Sequence, residues 1–83
     1  MAGEMTNTYV TFGQSHRHEI NGDVFDKDCV AVIEHGEKES GRELAFKYFG
    51  PKFCFEYTQR EFDHHVGPDM GFFPRGLVKV NPL

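Results

Sequence analysis

Hydrophobic and polar residues alternate in two segments of the chain, which is the pattern of half-buried β-strands. These segments cover residues 6–12 and 52–57, and a last short strand is predicted over residues 77–80. Residues 29–33 are apolar at every position, which predicts a strand covered on both faces and therefore central in a sheet. Three aromatic residues share one face of the second alternating segment, and we expect them to pack against a helix: Phe53, Phe55 and Tyr57.

The dipeptide Asn21-Gly22 is the clearest turn signal in the sequence. Both residues tolerate positive φ, so they predict a two-residue type I′ turn between short strands. A two-residue loop pairs the flanking residues one for one and sets Arg17 opposite Asp26. That opposite-charge pair is worth roughly 0.2–1 kcal/mol and supports this register.

Two helix starts are marked by capping residues. Ser40 and Glu43 have the spacing of a capping box, and Gly50 supplies the left-handed position that ends the helix. Thr58 and Glu61 repeat the capping pattern and predict a second, shorter helix. A helix of about ten residues is unstable alone in water, so the first one must pack on the sheet. Its apolar residues lead that contact: Leu44, Ala45, Phe46, Tyr48 and Phe49.

These elements predict one α+β domain over residues 1–83, with residues 1–5 as a disordered terminus. We expect a small, mainly antiparallel sheet of four to five strands, which includes the hairpin, with one main helix packed on one face. A domain of this size buries only about 60–65% of the surface of its unfolded chain. A homodimer, formed through an exposed sheet edge, would add buried surface.

Charge and composition limit the classes of function. The formal net charge is −4, which argues against a protein that grips nucleic-acid phosphates directly. Cys29 and Cys54 make no disulfide framework, and both are expected to be buried and reduced. The sequence contains no apolar stretch near 18 residues and no signal peptide pattern, so we expect a cytoplasmic protein without a membrane segment.

Two histidines are candidate metal ligands. His16 and His18 would point the same way from a strand, and Asp26 could add an oxygen ligand for one divalent transition metal. This hypothesis describes a metal-binding protein or a small metalloenzyme. The alternative is that one histidine packs against Phe25 while the other contacts solvent. We assign no catalytic residue, because no phosphate-binding loop or nucleophile motif is recognisable.

Exposed acidic residues are the candidate partner-binding site. They fall in two groups along the chain, around the first helix start and around the second: Glu34, Glu37, Glu39, Glu43, Glu56, Glu61 and Asp63. If the groups converge, they form a surface attractive to a basic protein. The alternative is that they compensate the helix dipoles and solvate the surface.

Several short motifs carry a resemblance to known proteins. They are Tyr9-Val10-Thr11-Phe12-Gly13-Gln14, residues 16–22, residues 25–33, Gly41-Arg42, Phe49-Gly50 and Phe73-Pro74-Arg75-Gly76. On these the chain resembles small proteins encoded by tailed phages and prophages. The resemblance implies an accessory protein, in the host cytoplasm, that binds a host protein stoichiometrically. Such a partner would be a defence or nucleic-acid-processing protein with a basic surface.

Overall fold

A four-stranded sheet, a two-stranded hairpin and three helical segments make up most of residues 4–81, the part of the chain that this computed structural model describes. The elements in chain order are β1 (Met5–Thr11), β2 (His18–Ile20), β3 (Asp23–Phe25), β4 (Cys29–Gly36), α1 (Gly41–Phe49), β5 (Phe55–Thr58), α2 (Gln59–His65), a 3-10 helix (Gly67–Phe72) and β6 (Gly76–Lys79). Of the predicted terminal segment, residues 1–3 lie outside the described residues, and Met5 already pairs with Gly36 in the sheet.

The four strands of the larger sheet lie in the order β5–β1–β4–β6. β1 runs antiparallel to both β4 and β5, whereas β6 runs parallel to β4. Parallel neighbours need a crossover between them. Here α1, β5, α2 and the 3-10 helix supply that long connection. The prediction of a mainly antiparallel α+β fold with one main helix is confirmed.

Both faces of this sheet are covered. α1 and the hairpin cover one face, around the buried residues Val10, Phe12, Ile20, Phe25, Cys29, Ala31, Ile33, Ala45, Phe49 and Val80. α2 and the 3-10 helix cover the other, around Tyr9, Val30, Phe62 and Val66. β4 has a neighbouring strand on each side and contributes residues to both clusters. The prediction that residues 29–33 form a central strand covered on both faces is therefore confirmed.

The hairpin forms with the predicted turn. Asn21 has φ 53° and Gly22 has φ 88°, and the strands pair one for one on either side of them. The hairpin is a separate two-stranded sheet, however, and not part of the larger one as predicted. The expected partner of Arg17 was also wrong. Asp26 instead accepts a hydrogen bond from Arg75 at 3.3 Å, because the chain before β6 passes beside the hairpin.

Both predicted helix caps are present, to different degrees. The Ser40 hydroxyl accepts the N–H of Glu43 at 3.2 Å, which is half of the predicted capping box. At Thr58 the box is complete, because the Glu61 carboxylate also accepts the Thr58 N–H at 3.0 Å. Gly50 ends α1 with a positive φ of 61°, as predicted, but its ψ of −149° lies outside the left-handed helical region.

The aromatic residues of segment 52–57 do not share one face. β5 begins only at Phe55, so Phe53 lies before the strand and packs on the α1 side, 5.2 Å from the ring of Phe46. Tyr57 packs on the α2 side, while Phe55 is 58% exposed. Phe46 was predicted to pack on the sheet but is 43% exposed. Cys54 is exposed as well, contrary to the prediction that both cysteines are buried.

The capping box at the start of α2 should make the stability of the protein decrease at acidic pH. Hydrogen bonds from the Thr58 backbone, and then from its side chain, hold the pKa of the Glu61 carboxyl below its ordinary value of 4.5. Because the folded pKa is the lower one, this stabilisation is complete above the ordinary pKa and is lost as pH falls through the folded pKa. We expect the melting temperature of the wild type to fall more between neutral and acidic pH than the melting temperature of Glu61→Gln does. Equal declines would show that the box contributes no pH-dependent stability.

Candidate functional site

Two adjoining cavities lie beside the 3-10 helix, on the α2 side of the sheet. They have volumes of about 310 and 300 Å³ and share three wall residues, Thr11, Phe72 and Phe73. We call the two together the aromatic groove. The remaining residues of the first cavity are Tyr57, His65, Val66 and Asp69. Those of the second are Gly13, Gln14, Lys27 and Cys54.

Local structure explains how the groove forms. α2 ends at His65 with Val66 as its C-cap, and Pro68 at the start of the 3-10 helix has no N–H that could continue the helix. The Val66 carbonyl accepts the Asp69 N–H at 2.8 Å, and the Met70 carbonyl accepts the Phe73 N–H at 2.9 Å. Val66 is buried and Met70 is half-buried against the sheet. Because Val66 and Met70 are packed against the sheet, the tight turns at these residues place Asp69, Phe72 and Phe73 on the wall of the groove.

Exposed aromatic surface surrounds the groove. Phe72 is 78% exposed, and Phe55, whose ring lies 6.1 Å from that of Tyr57, is 58% exposed. Large apolar side chains grouped on a surface indicate a contact site more often than single ones do. Among the described residues, most large exposed hydrophobic side chains lie on the α2 side, as judged from strand alternation: Met5, Phe55, Phe72 and Leu77.

A phenol residue and an acidic residue, Tyr57 and Asp69, are among the walls of the first cavity. Burial, together with the nearby Cys54, raises the pKa of the Tyr57 phenol, although a hydrogen bond with Thr11 opposes the shift. The phenol therefore stays protonated at neutral pH. Asp69 is exposed, and no cation of residues 4–81 lies within salt-bridge distance of its carboxylate. A ligand in this cavity meets aromatic rings and one unpaired negative charge.

Four of the predicted partner-binding carboxylates follow one another at one end of the sheet. Glu34 is near the end of β4, Glu37 and Glu39 lie in the turn after it, and Glu43 is in the first turn of α1. Glu34 contacts Lys79 at 3.3 Å. It is the only one of the seven predicted carboxylates with a salt bridge inside the described part of the chain.

Thr8 connects the two predicted acidic groups. Gly41, the first residue of α1, lies directly against Thr8, and Thr8 pairs with Thr58, where α2 begins. Both helix N-termini therefore lie at the same end of the sheet, and Glu43 and Glu61 lie there with them. We call Glu34, Glu37, Glu39, Glu43 and Glu61 the acidic end.

Glu56 and Asp63 are not part of the acidic end. Glu56 pairs with Val10 inside β5 and is half-buried. Asp63 lies one turn along α2, where it accepts a hydrogen bond from the Gln59 amide at 3.1 Å. Five of the seven predicted carboxylates thus lie towards one end of the sheet, with Glu43 on the α1 face and Glu61 on the α2 face. Their role as one partner-binding surface stays a prediction.

The predicted metal ligands make other contacts. His18 donates from Nε2 to the Lys52 carbonyl at 2.6 Å, because a carbonyl can only accept. Asp26 accepts from Arg75, and His16 lies in the loop before β2. Among residues 4–81, no three His, Cys, Asp or Glu side chains are grouped as metal ligands. A metal bound by His16, His18 and Asp26 stays a prediction.

Sequence reasoning missed two features. His35 is buried, with Nε2 2.7 Å from the Thr8 hydroxyl and Nδ1 donating to the Gly36 carbonyl at 2.8 Å. Continuing the alternation of β4 beyond residue 33 would have placed it in the core. The second feature is the cavity wall where Asp69 and Phe72 lie beside Tyr57. No local pattern links them to Tyr57.

Comparisons with known proteins do not assign this chain to a group. Neither the family models, nor the curated proteins, nor the solved structures contain a match to it. Among the described residues, no helix has the length and apolar character needed to cross a membrane.

Proposed function

We propose that this protein binds another protein with a basic surface, one copy to one copy, and acts by occupying that surface. The resemblance to small tailed-phage proteins supports an accessory role of phage type. The partner would be a host defence protein or a nucleic-acid-processing protein, since both present basic surfaces to phosphates. Binding at that surface would exclude the natural ligand of the partner.

The acidic end is the observation that carries this proposal. Five carboxylates lie there, and the described residues provide one of them, Glu34, with a salt bridge. Lys38 and Arg42 belong to the same segment, but the Arg42 guanidinium lies over the Phe46 ring at 5.7 Å. Unpaired surface charge of one sign increases association rates with an oppositely charged partner and helps to select it.

Removing two charges from the acidic end should strongly weaken capture of the partner. We expect the tagged wild type to retain one stoichiometric protein from lysate of its natural host at low salt and to release it at high salt. We expect Glu37→Gln/Glu43→Gln to retain at least about tenfold less, since charge pairs across an interface contribute strongly to binding. Quantitative mass spectrometry of the eluates measures this difference.

The matched control removes two carboxylates from another part of the surface. Glu19→Gln/Asp23→Asn, on the hairpin strands, changes the net charge equally but leaves the acidic end and the groove intact, so capture should stay at the level of the wild type. Equal loss in both variants would indicate that net charge alone is responsible. A dimer of the purified protein in light scattering, with no captured protein, would favour self-assembly through the edge strands β5 and β6.

A further inference from the structure

The first cavity of the aromatic groove has the composition of an organic-cation site. Three aromatic residues, Tyr57, Phe72 and Phe73, line it together with the acidic residue Asp69. Aromatic rings attract cations through their negative faces, and several rings around one cavity bind alkylated ammonium and guanidinium groups. The carboxylate adds a full charge to this attraction.

The distribution of charge along the groove sets the orientation of a ligand. Asp69 lies on the first cavity, whereas Lys27 lies on the second, 3.1 Å from the Asp28 carboxylate. The other titratable side chains on the walls are His65 and Tyr57 in the first cavity and Cys54 in the second. A cation therefore belongs at the Asp69 end, and the Lys27 end favours neutral or acceptor groups.

A guanidinium group matches this cavity better than a simple ammonium group. It is planar, so it stacks on aromatic rings, and its paired N–H groups fit both oxygens of one carboxylate. Its apolar stem can lie against Phe72 and Phe73, which continue from the first cavity into the second.

We infer that the cavity between Tyr57, Asp69, Phe72 and Phe73 receives an arginine side chain of the protein partner. This inference rests on the proposed function, because it names the residue type that a basic partner inserts. The cavity would be a second contact region besides the acidic end. The cavity lies at Thr11, at one end of β1, and the acidic end lies near Met5, at the other. The acidic end increases encounter, and the cavity holds one specific side chain.

Titration with a single blocked amino acid tests the cavity without the partner. We expect N-acetyl-arginine-methylamide to shift the backbone amide NMR signals of residues 57, 65, 69 and 73 saturably. The dissociation constant should be on the order of 1–10 mM, as for one side chain bound alone. N-acetyl-citrulline-methylamide has nearly the same shape but no charge, and it should bind at least about tenfold more weakly.

Three variants separate the contributions of charge and ring. Asp69→Asn should weaken binding of the arginine probe by about tenfold, because it removes the charge-assisted contact. Phe72→Leu should weaken it by about threefold, because it keeps apolar contact but removes the ring. Phe46→Leu makes the same change at an exposed ring of α1, on the opposite side of the sheet from the groove, and should bind as the wild type does.

Several results would overturn the inference. Equal binding of the arginine and citrulline probes, or shifts confined to the acidic end, would show that the cavity does not select a cation. Tenfold tighter binding of tetramethylammonium would indicate a small free cation as the occupant and not a protein side chain. The partner is absent from this titration, so its outcome is independent of the capture experiment. Conversely, failed capture with intact arginine binding would contradict only the proposed protein partner.

Discussion

Phe12→Ala should lower the free energy of unfolding by about 3–5 kcal/mol, as when a large aromatic side chain is removed from a core. Phe12 is fully buried where the main sheet, the hairpin and α1 meet. Its ring centroid lies 4.9 Å from that of Phe49 and 6.2 Å from that of Phe25. Domains of 83 residues have total stabilities of about 4–12 kcal/mol. Urea denaturation should therefore show a large decrease in the midpoint, or a protein already unfolded without urea.

The matched control for this variant is Phe72→Ala. The chemical change is the same, but Phe72 is 78% exposed, so its stability should stay within about 0.5 kcal/mol of the wild type. Comparable destabilisation by both substitutions would mean that the core is not centred on Phe12. If Phe72→Ala folds normally, as we expect, the aromatic groove can be altered without loss of the fold.

Gly41→Ala should destabilise the protein by about 1–3 kcal/mol or more, since overpacking at a rigid contact forces the backbone to move. A Cβ atom at Gly41 would lie 1.8 Å from the Thr8 hydroxyl oxygen and 2.8 Å from the Thr8 Cβ. Thr8 cannot easily move away, because it is buried in β1 and its hydroxyl is hydrogen-bonded to His35 at 2.7 Å. Alanine has the higher helix propensity, so destabilisation here would indicate a steric cause.

Two further variants test this cause. At Gly71 an added Cβ meets nothing within 4 Å, so Gly71→Ala should be neutral or stabilising by up to about 1 kcal/mol. Thr8→Ala removes the closest clashing atom, so the double variant with Gly41→Ala should be more stable than the sum of the single effects predicts. Additive effects would mean that α1 begins farther from β1 than the structure places it.

Local signals predicted the elements well. The turn at Asn21-Gly22 and the capping box at Thr58 form as expected, and half of the box forms at Ser40, because each depends on residues within four positions of one another. Residues 29–33 are central because an unbroken apolar run is stable only when both faces are covered. These features need no knowledge of the partner elements.

The faces of the aromatic residues could not be predicted in the same way. Whether Phe53 continues the alternation of Phe55 and Tyr57 depends on where β5 starts. Pairing with β1 sets that point, since Thr11 is opposite Phe55 and its carbonyl accepts the Cys54 N–H at 2.8 Å. A one-residue change of alternation places every following side chain on the other face. The sequence of this segment does not indicate which strand it pairs with.

The acidic end and the aromatic groove differ in how far the sequence could predict them. Four carboxylates of the acidic end are close in sequence, so their proximity was predictable, but Glu61 joins them only because Thr8 contacts both helix starts. The aromatic groove could not be predicted at all. It forms because α2 and the 3-10 helix bring Asp69 and Phe72 against Tyr57 and Thr11 of the sheet.

By itself, the sequence determined where the hairpin turn, the central strand and the starts of the two α-helices lie, and that a sheet has to bury the main helix. Side-chain periodicity and hydrogen bonding between near neighbours decide these features, and both are written in consecutive residues. Only the tertiary structure decided that β6 runs parallel to β4, that His35 is buried beside Thr8 and that a groove opens beside Phe72. Those features join residues far apart in the chain, and the packing of the whole molecule selects among many arrangements that satisfy the same local patterns.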